Sequence, residues 1–277
     1  MTATTNPGTA LITGASSGIG AIYADRLARR GYDLILVARN GERLAALAAR
    51  LAAETGRKVE PIVADLGDAA DLARVEAVLR DDPRITLLLN NAGIGASQPL
   101  LEAEVDRMEA MIALNVTAPM RLTYAAVPGF VARGGGTIVN IASIVAIAPE
   151  RLNGVYGGSK AFLLAFSQSL HAELAGSGVR VQAVLPGATA TDFWAIAGRP
   201  VELLPQAIVM SAADMVDAAL AGLDQGELVT IPALPELGDW NAFEAARQAM
   251  VPNLSNATPA ARYLAERQAK PALSVAS

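Results

Sequence analysis

Short runs of β-branched and leucine-rich residues recur along the chain, separated by longer stretches in which Ala, Leu, Arg and Glu mix at helical spacing. The runs "TALITG" (9–14), "DLILVA" (33–38), "KVEPIVA" (58–64), "ITLLLN" (85–90), "GTIVNIAS" (136–143) and "VRVQAVL" (179–185) read as buried parallel strands. "ELVTI" (227–231) supplies a further one. Between them, "ERLAALAARLAAE" (42–54) and "AADLARVEAVLRDD" (69–82) read as helices, as do the longer stretches 105–132 and 153–176. Strand–helix alternation at this spacing builds right-handed βαβ units. It predicts an α/β fold: a doubly wound parallel sheet of about seven strands with helices on both faces. No linker-like stretch separates two cores, so residues 1–277 read as one domain. Residues 232–277 form an appendage with one helix in "WNAFEAARQAM" (240–250) and a second near 259–269.

Composition narrows the function classes. The chain is 52% hydrophobic, yet no apolar run approaches the ~20 residues of a membrane span. "MTATTNPG" lacks the basic and apolar segments of a signal peptide, so a cytoplasmic location is expected. Zero cysteines exclude disulfides and thiolate-bound zinc, and a single histidine, His171, leaves no histidine cluster, so no metal is expected. The net charge of -5, without a basic stripe, argues against nucleic acid as a partner. Acid–base chemistry therefore falls to Tyr, Lys, Asp, Glu or a cofactor.

Two places carry candidate chemistry. Directly after the first strand, "TGASSGIG" sets Gly14, Gly18 and Gly20 at G-x-x-x-G-x-G spacing, with Ile19 inside the motif. Such glycines let backbone N–H groups and a helix N-terminus approach a pyrophosphate, and Ser16 and Ser17 add donors. The second strand ends in Ala38, where an acid would select NAD, and Arg39 follows it. A guanidinium grips a 2′-phosphate by two hydrogen bonds, so NADP(H) is expected over NAD(H), which stays possible. In "ADL" (64–66), Asp65, beside Leu66, suits either the adenine amino group or the cap of the next helix. The second place is "GVYGGSK", where Tyr156 and Lys160 stand one helical turn apart. Either both face solvent, or the ammonium lowers the phenol's pKa from ~10 and makes it a working acid and base.

These motifs, in this order, resemble the short-chain dehydrogenase/reductase family. They are "TGASSGIG" (13–20), "NNAG" (90–93), Asn115 in "ALNVTAP", Ser143 in "NIASIVA", Tyr156-x-x-x-Lys160 and "PGATAT" (186–191), and the likeness covers about residues 9 to 231. The resemblance implies a doubly wound parallel sheet of Rossmann type, a nicotinamide cofactor and carbonyl–alcohol oxidoreduction. It implies that Asn91, with Ala92 and Gly93, touches the cofactor while Asn91 braces the sheet, and that Pro186, Gly187, Thr189 and Thr191 hold the nicotinamide side. Ser143 would bind the substrate oxygen, Tyr156 would pass its proton, Lys160 would reach the cofactor ribose, and Asn115 would hold a water leading to Lys160. The family also implies a lid over about residues 188–210, and helices 105–132 and 153–176 paired across a two-fold axis in a homodimer or homotetramer.

The lid sequence carries only Asp192, Arg199 and Glu202 as charges among many apolar residues, so the expected substrate is a small hydrophobic carbonyl compound or alcohol. Phe193 and Trp194 suit substrate contact or core packing equally, and His171 suits the surface. Two other readings remain at this point: a nucleotide-sensing binding protein without turnover, and an NAD-dependent epimerase or dehydratase.

Overall fold

The computed structural model describes residues 7–198 and 200–264, which fall into two units that divide between Ala233 and Leu234. In the first unit the chain alternates β1 (Thr9–Thr13), α1 (Gly18–Arg29), β2 (Asp33–Ala38), α2 (Gly41–Thr55), β3 (Val59–Val63), α3 (Ala69–Asp81) and β4 (Ile85–Asn90). It continues with α4 (Val105–Ile112), α5 (Ala118–Ala132), β5 (Gly136–Ile141), α6 (Gly154–Glu173) and β6 (Val179–Val184). The unit closes with β7 (Thr189–Ala190), α7 (Phe193–Ile196), β8 (Met210–Ser211), α8 (Ala212–Asp224) and β9 (Val229–Thr230).

Seven strands form one parallel sheet in the order β3-β2-β1-β4-β5-β6-β9. From β1 the chain winds outward to β3, then crosses back to β4 and winds the other way. This reversal opens a crevice beyond the carboxyl ends of β1 and β4, where ligands of such sheets bind. Alternation along each strand builds the two flanking cores. Ala10 and Ile12 pack with Leu27 of α1, Leu44 of α2 and Val216 of α8, whereas Leu11 packs with Val75 of α3 and Leu122 of α5. Each buried Leu or Ile contributes roughly 1.5–3 kcal/mol, and a one-residue slip would send each to the wrong face.

Three local features fix the crevice. Asn40 caps α2, its Oδ1 accepting from Arg43 N at 2.9 Å. Asp68, not Asp65, caps α3, accepting from Ala70 N and Asp71 N. The capping role considered for Asp65 is thus overturned, because its Oδ1 closes a tight turn by accepting from Gly67 N. A polar thread runs just below the carboxyl ends: Asn90 Nδ2 donates to Thr123 Oγ1 at 3.2 Å and to Asn140 Oδ1 at 2.9 Å. Asn140 Nδ2 then donates to Ser167 Oγ at 2.9 Å. Buried hydrogen bonds of this kind tie α5, β4, β5 and α6 in one register.

The stretch 105–132 differs from the continuous helix its pattern predicts, since a π-helical turn at Ala113–Thr117 separates α4 from α5. Such turns widen the helix locally and recur at functional sites.

The second unit contains α9 (Leu237–Met250), which begins ahead of the expected start at 240. Its Trp240 and Phe243 rings meet at a tilt of 32° with centroids 5.4 Å apart. Near 259–269 the chain makes a single 3-10 turn at Ala261–Tyr263, and residues 265–269 of that expected helix lie outside the described residues. Among the described residues no helix is long and apolar enough to cross a membrane.

Candidate active site

The turn after β1 holds Gly14 at φ +65° and Gly18 at φ +53°, both left-handed. A Cβ on Gly14 would sit 2.8 Å from Asn91 Nδ2, and one on Gly20 would overlap Gly14 O, so the loop closes only on glycine. Ser17 stands at the N-cap of α1 with no side-chain cap bond, which leaves first-turn N–H groups free for an anion. Asn91 secures this arrangement from below: its Nδ2 donates to Thr13 O at 2.9 Å and Gly14 O at 3.1 Å.

A cavity of about 630 Å³ runs from this loop across the crevice. Gly14, Ser16, Ser17, Gly18 and Ile19 line its middle, and Arg39, Asp65 and Leu66 line one end. Asn91, Ala92 and Gly93 form its floor, and Ser143, Tyr156, Lys160, Pro186, Gly187, Thr189 and Thr191 surround the other end. Two expected site residues, Gly20 and Asn115, stand behind the wall instead. Gly20 backs Gly14. Asn115, in the π-turn, pairs with Ile94 through both backbone groups and donates to Ser159 Oγ at 3.1 Å. A Cβ at Gly93 would lie 3.1 Å from Asn115 Oδ1 and 3.6 Å from Lys160 Nζ, so both side chains stand beside one floor residue.

Tyr156 and Lys160 share the inner face of α6 and are each 5% exposed, which removes the solvent-facing alternative. Lys160 Nζ donates to Ile141 O at 2.8 Å and lies 5.8 Å from the Tyr156 ring centroid. The electrostatics differ from the simple expectation. Burial pushes the Tyr156 phenol up to about 12, with a partial offset from its hydrogen bond to Ser143. Burial also draws Lys160 down to about 8. Desolvation disfavours the charged form of each group, so proximity of the ammonium alone does not acidify the phenol. Ser143 sits at the carboxyl end of β5, its Oγ accepting weakly from Val145 N at 3.4 Å. His171 is exposed on the outer part of α6, away from these groups.

The excursion after Pro186 closes on itself, because β7 and β8 pair in parallel through Thr189–Met210 and Ala190–Ser211. Phe193 lies over Tyr156 with ring centroids 5.7 Å apart, and Trp194, edge-on to Phe193, donates from Nε1 to Thr189 O at 3.0 Å. Both rings line the cavity, together with Ile196, Leu204, Pro205 and Ile208. Arg199, one of the three expected charges of this segment, lies outside the described residues.

Comparison with known proteins bears on this geometry. The family model for short chain dehydrogenases matches residues 8–199. The chain belongs to the short-chain dehydrogenase/reductase family. This short-chain dehydrogenase is an oxidoreductase of Rossmann type. It resembles a short-chain dehydrogenase from Sphingobium yanoikuyae, solved in complex with NADPH, at 52% identity and a TM-score of 0.90, covering 92% of this chain and 99% of that one. It also resembles the bulky-bulky ketone specific alcohol dehydrogenase from Comamonas testosteroni, at 46% identity and a TM-score of 0.87, covering 94% and 100%. A very-long-chain 3-oxoacyl-CoA reductase of Anas platyrhynchos is 37% identical over 66% of this chain, which spans only 60% of that relative.

Three residues of this short-chain dehydrogenase escaped sequence reasoning. Arg43 lines the cavity beside Arg39, and its signal was the Asn40 cap, which aims the first turn of α2 at the crevice. Gly95 makes room for Phe193, since a Cβ there would overlap the ring. Arg107 donates from Nη2 to Ile196 O at 2.7 Å, a contact that no local pattern encodes.

Proposed function

We propose that this short-chain dehydrogenase moves a hydride between NADP(H) and a hydrophobic ketone, aldehyde or secondary alcohol, with Tyr156 giving or taking the proton on oxygen. One observation carries the reading: one cavity runs from Arg39 at one end, past an uncapped helix N-terminus, to buried Ser143, Tyr156 and Lys160 under an apolar wall at the other. The glycine loop, where even a Cβ has no room, fits a dinucleotide's pyrophosphate. A bound nicotinamide cofactor supplies the hydride or accepts it and, when oxidised, sets a positive charge near the phenol.

The chain's own residues do the rest. Gly14, Ser16, Ser17, Gly18 and Ile19 hold the pyrophosphate, with Gly20 shaping the loop. Arg39 takes the 2′-phosphate, Asp65 and Leu66 flank the adenine, and Asn91, Ala92 and Gly93 support the nucleoside from below. Pro186, Gly187, Thr189 and Thr191 hold the nicotinamide side. Ser143 binds the substrate oxygen within reach of Tyr156, and Lys160, backed by Asn115, fixes the ribose and steers the proton. Residues 188–210 act as a lid that excludes water. Relatives support the cofactor and the substrate class, one being bound to NADPH and another specific for bulky ketones.

A matched panel of carbonyl compounds at equal concentration tests the substrate. Oxidation of NADPH, followed at the nicotinamide absorbance band, should give higher kcat/KM on bulky aryl or alkyl ketones than on sugar phosphates or small dicarboxylates. Desolvating the charged compounds under Phe193, Trp194 and Leu204 has no compensating partner. Preference for the charged set would overturn the apolar-pocket reading.

Assembly follows from the same helices. Val105 and Ile112 on α4 and Tyr124 and Val131 on α5 are exposed, and Phe162 and Phe166 stack half-buried on α6. Covering these side chains in a homodimer or homotetramer removes apolar area from water. Light scattering at micromolar concentration should find at least a dimer, and a monomer alone would refute the pairing.

A further inference from the structure

Arg39 and Arg43 face the same end of the cavity, and each is met by a carboxylate: Arg39 by Asp65 at 3.8 Å and Arg43 by Asp192 at 3.5 Å. The second pair is unusual in its reach. Arg43 belongs to the first turn of α2, whereas Asp192 is the first residue after the strip that covers the glycine loop. Its neighbour Thr191 stands 3.2 Å from where a Cβ on Gly18 would be. The next residue, Phe193, lies on Tyr156. Two consecutive lid residues therefore touch the phosphate end and the phenol end of one cavity.

We propose that Asp192 occupies Arg43 in the place of a 2′-phosphate, so that phosphate binding takes Arg43 from Asp192 and frees the head of the lid above Tyr156. This rests on the NADP(H) reading and adds to it a second guanidinium and a link to the lid. Both side chains are largely exposed, and such ion pairs are weak. At 3.5 Å the contact is also longer than a charge-assisted hydrogen bond of about 2.7–2.9 Å. A phosphate carrying nearly two charges and three acceptor oxygens outcompetes a single carboxylate for a planar guanidinium.

The far end of α7 is held independently. Arg107 Nη2 donates to Ile196 O at 2.7 Å, and Ser97 donates to Ala197 O from its hydroxyl at 2.8 Å and its backbone N at 3.2 Å. Release of Asp192 thus moves the head of the segment about a fixed tail, carrying Phe193 and the Trp194 indole with it.

Binding of adenosine 2′,5′-bisphosphate, with 5′-AMP as control, tests this without turnover. By calorimetry, Arg43→Ala should weaken the bisphosphate at least about tenfold and leave 5′-AMP unchanged. Asp192→Asn should tighten the bisphosphate roughly two- to fivefold, and this gain should vanish in the Arg43→Ala background. In a Trp240→Phe background, Trp194 emission should shift with the bisphosphate and not with 5′-AMP. An equal gain from Asp192→Asn with and without Arg43, or no gain at all, overturns the exchange. An unmoved Trp194 signal overturns the link to the lid. If the wild-type protein does not prefer the bisphosphate over 5′-AMP, the NADP(H) reading falls and takes the exchange with it. A preference lost in Arg39→Ala but untouched by Arg43→Ala would remove only the exchange.

Discussion

Tyr156→Phe should lower kcat for ketone reduction by roughly 10²- to 10⁴-fold, the usual contribution of a positioned general acid, while the NADPH dissociation constant stays nearly constant. The substitution removes one oxygen. The ring keeps its packing with Met108, Met111 and Val145, so the fold around α6 is retained. The lost group is the hydroxyl that hydrogen-bonds Ser143. Because burial holds the phenol up to about 12, it is protonated at neutral pH, and carbonyl reduction needs no alkaline conditions. Alcohol oxidation needs the phenolate, so its rate should climb steadily as pH rises toward about 12 and that form grows. Lys160→Ala should lower both kcat and cofactor affinity, since Lys160 is proposed to hold the ribose and to bias the proton. Steady-state kinetics, NADPH fluorescence titration and thermal unfolding separate these effects. Substantial turnover in Tyr156→Phe would sink the mechanism.

The sheet was legible because its strands are short, apolar and spaced by amphipathic helices, a pattern that leaves few topologies open. β1 to β6 fall on the expected runs, and β9 lies within "ELVTI". The motif residues were legible as a set, since glycine positions and the Tyr156–Lys160 spacing have local geometric causes. What stayed hidden depends on contacts remote in sequence. The π-turn at Asn115 interrupts a sequence whose periodicity runs on smoothly, and its partner is Ile94 in another loop. Arg43 and Asp192 lie 149 positions apart (192 minus 43), so no window joins them. The pKa of Tyr156 was misjudged in direction because one-turn spacing on a helix reports distance, whereas desolvation depends on everything packed around the pair. Asp65 lost its capping role to Asp68 by a difference of turn geometry that both "ADL" and "GDAAD" allow.

Cofactor preference is expected to reside at the end of β2. Ala38 is buried there, with Ala64 N donating to its carbonyl at 3.1 Å. Its side chain neither accepts from a ribose hydroxyl nor repels a phosphate, so the position gives NAD(H) no advantage. Arg39 is two-thirds exposed and meets Asp65 only at 3.8 Å, which leaves its guanidinium able to turn onto a 2′-phosphate. A charge-assisted, bidentate contact of this type contributes about 1.5–3 kcal/mol. Solvent screening at so exposed a side chain favours the lower part of that range. The wild-type protein should therefore prefer NADP(H), and Arg39→Ala should reduce the ratio of kcat/KM for NADPH over NADH by roughly 10- to 40-fold. The loss should fall on KM for NADPH rather than on kcat, because the phosphate is bound equally in ground and transition states. Arg39→Lys should recover part of the ratio, as a point charge replaces the fork. A wild-type preference for NADH, or an unchanged ratio in Arg39→Ala, would remove Arg39 from cofactor selection.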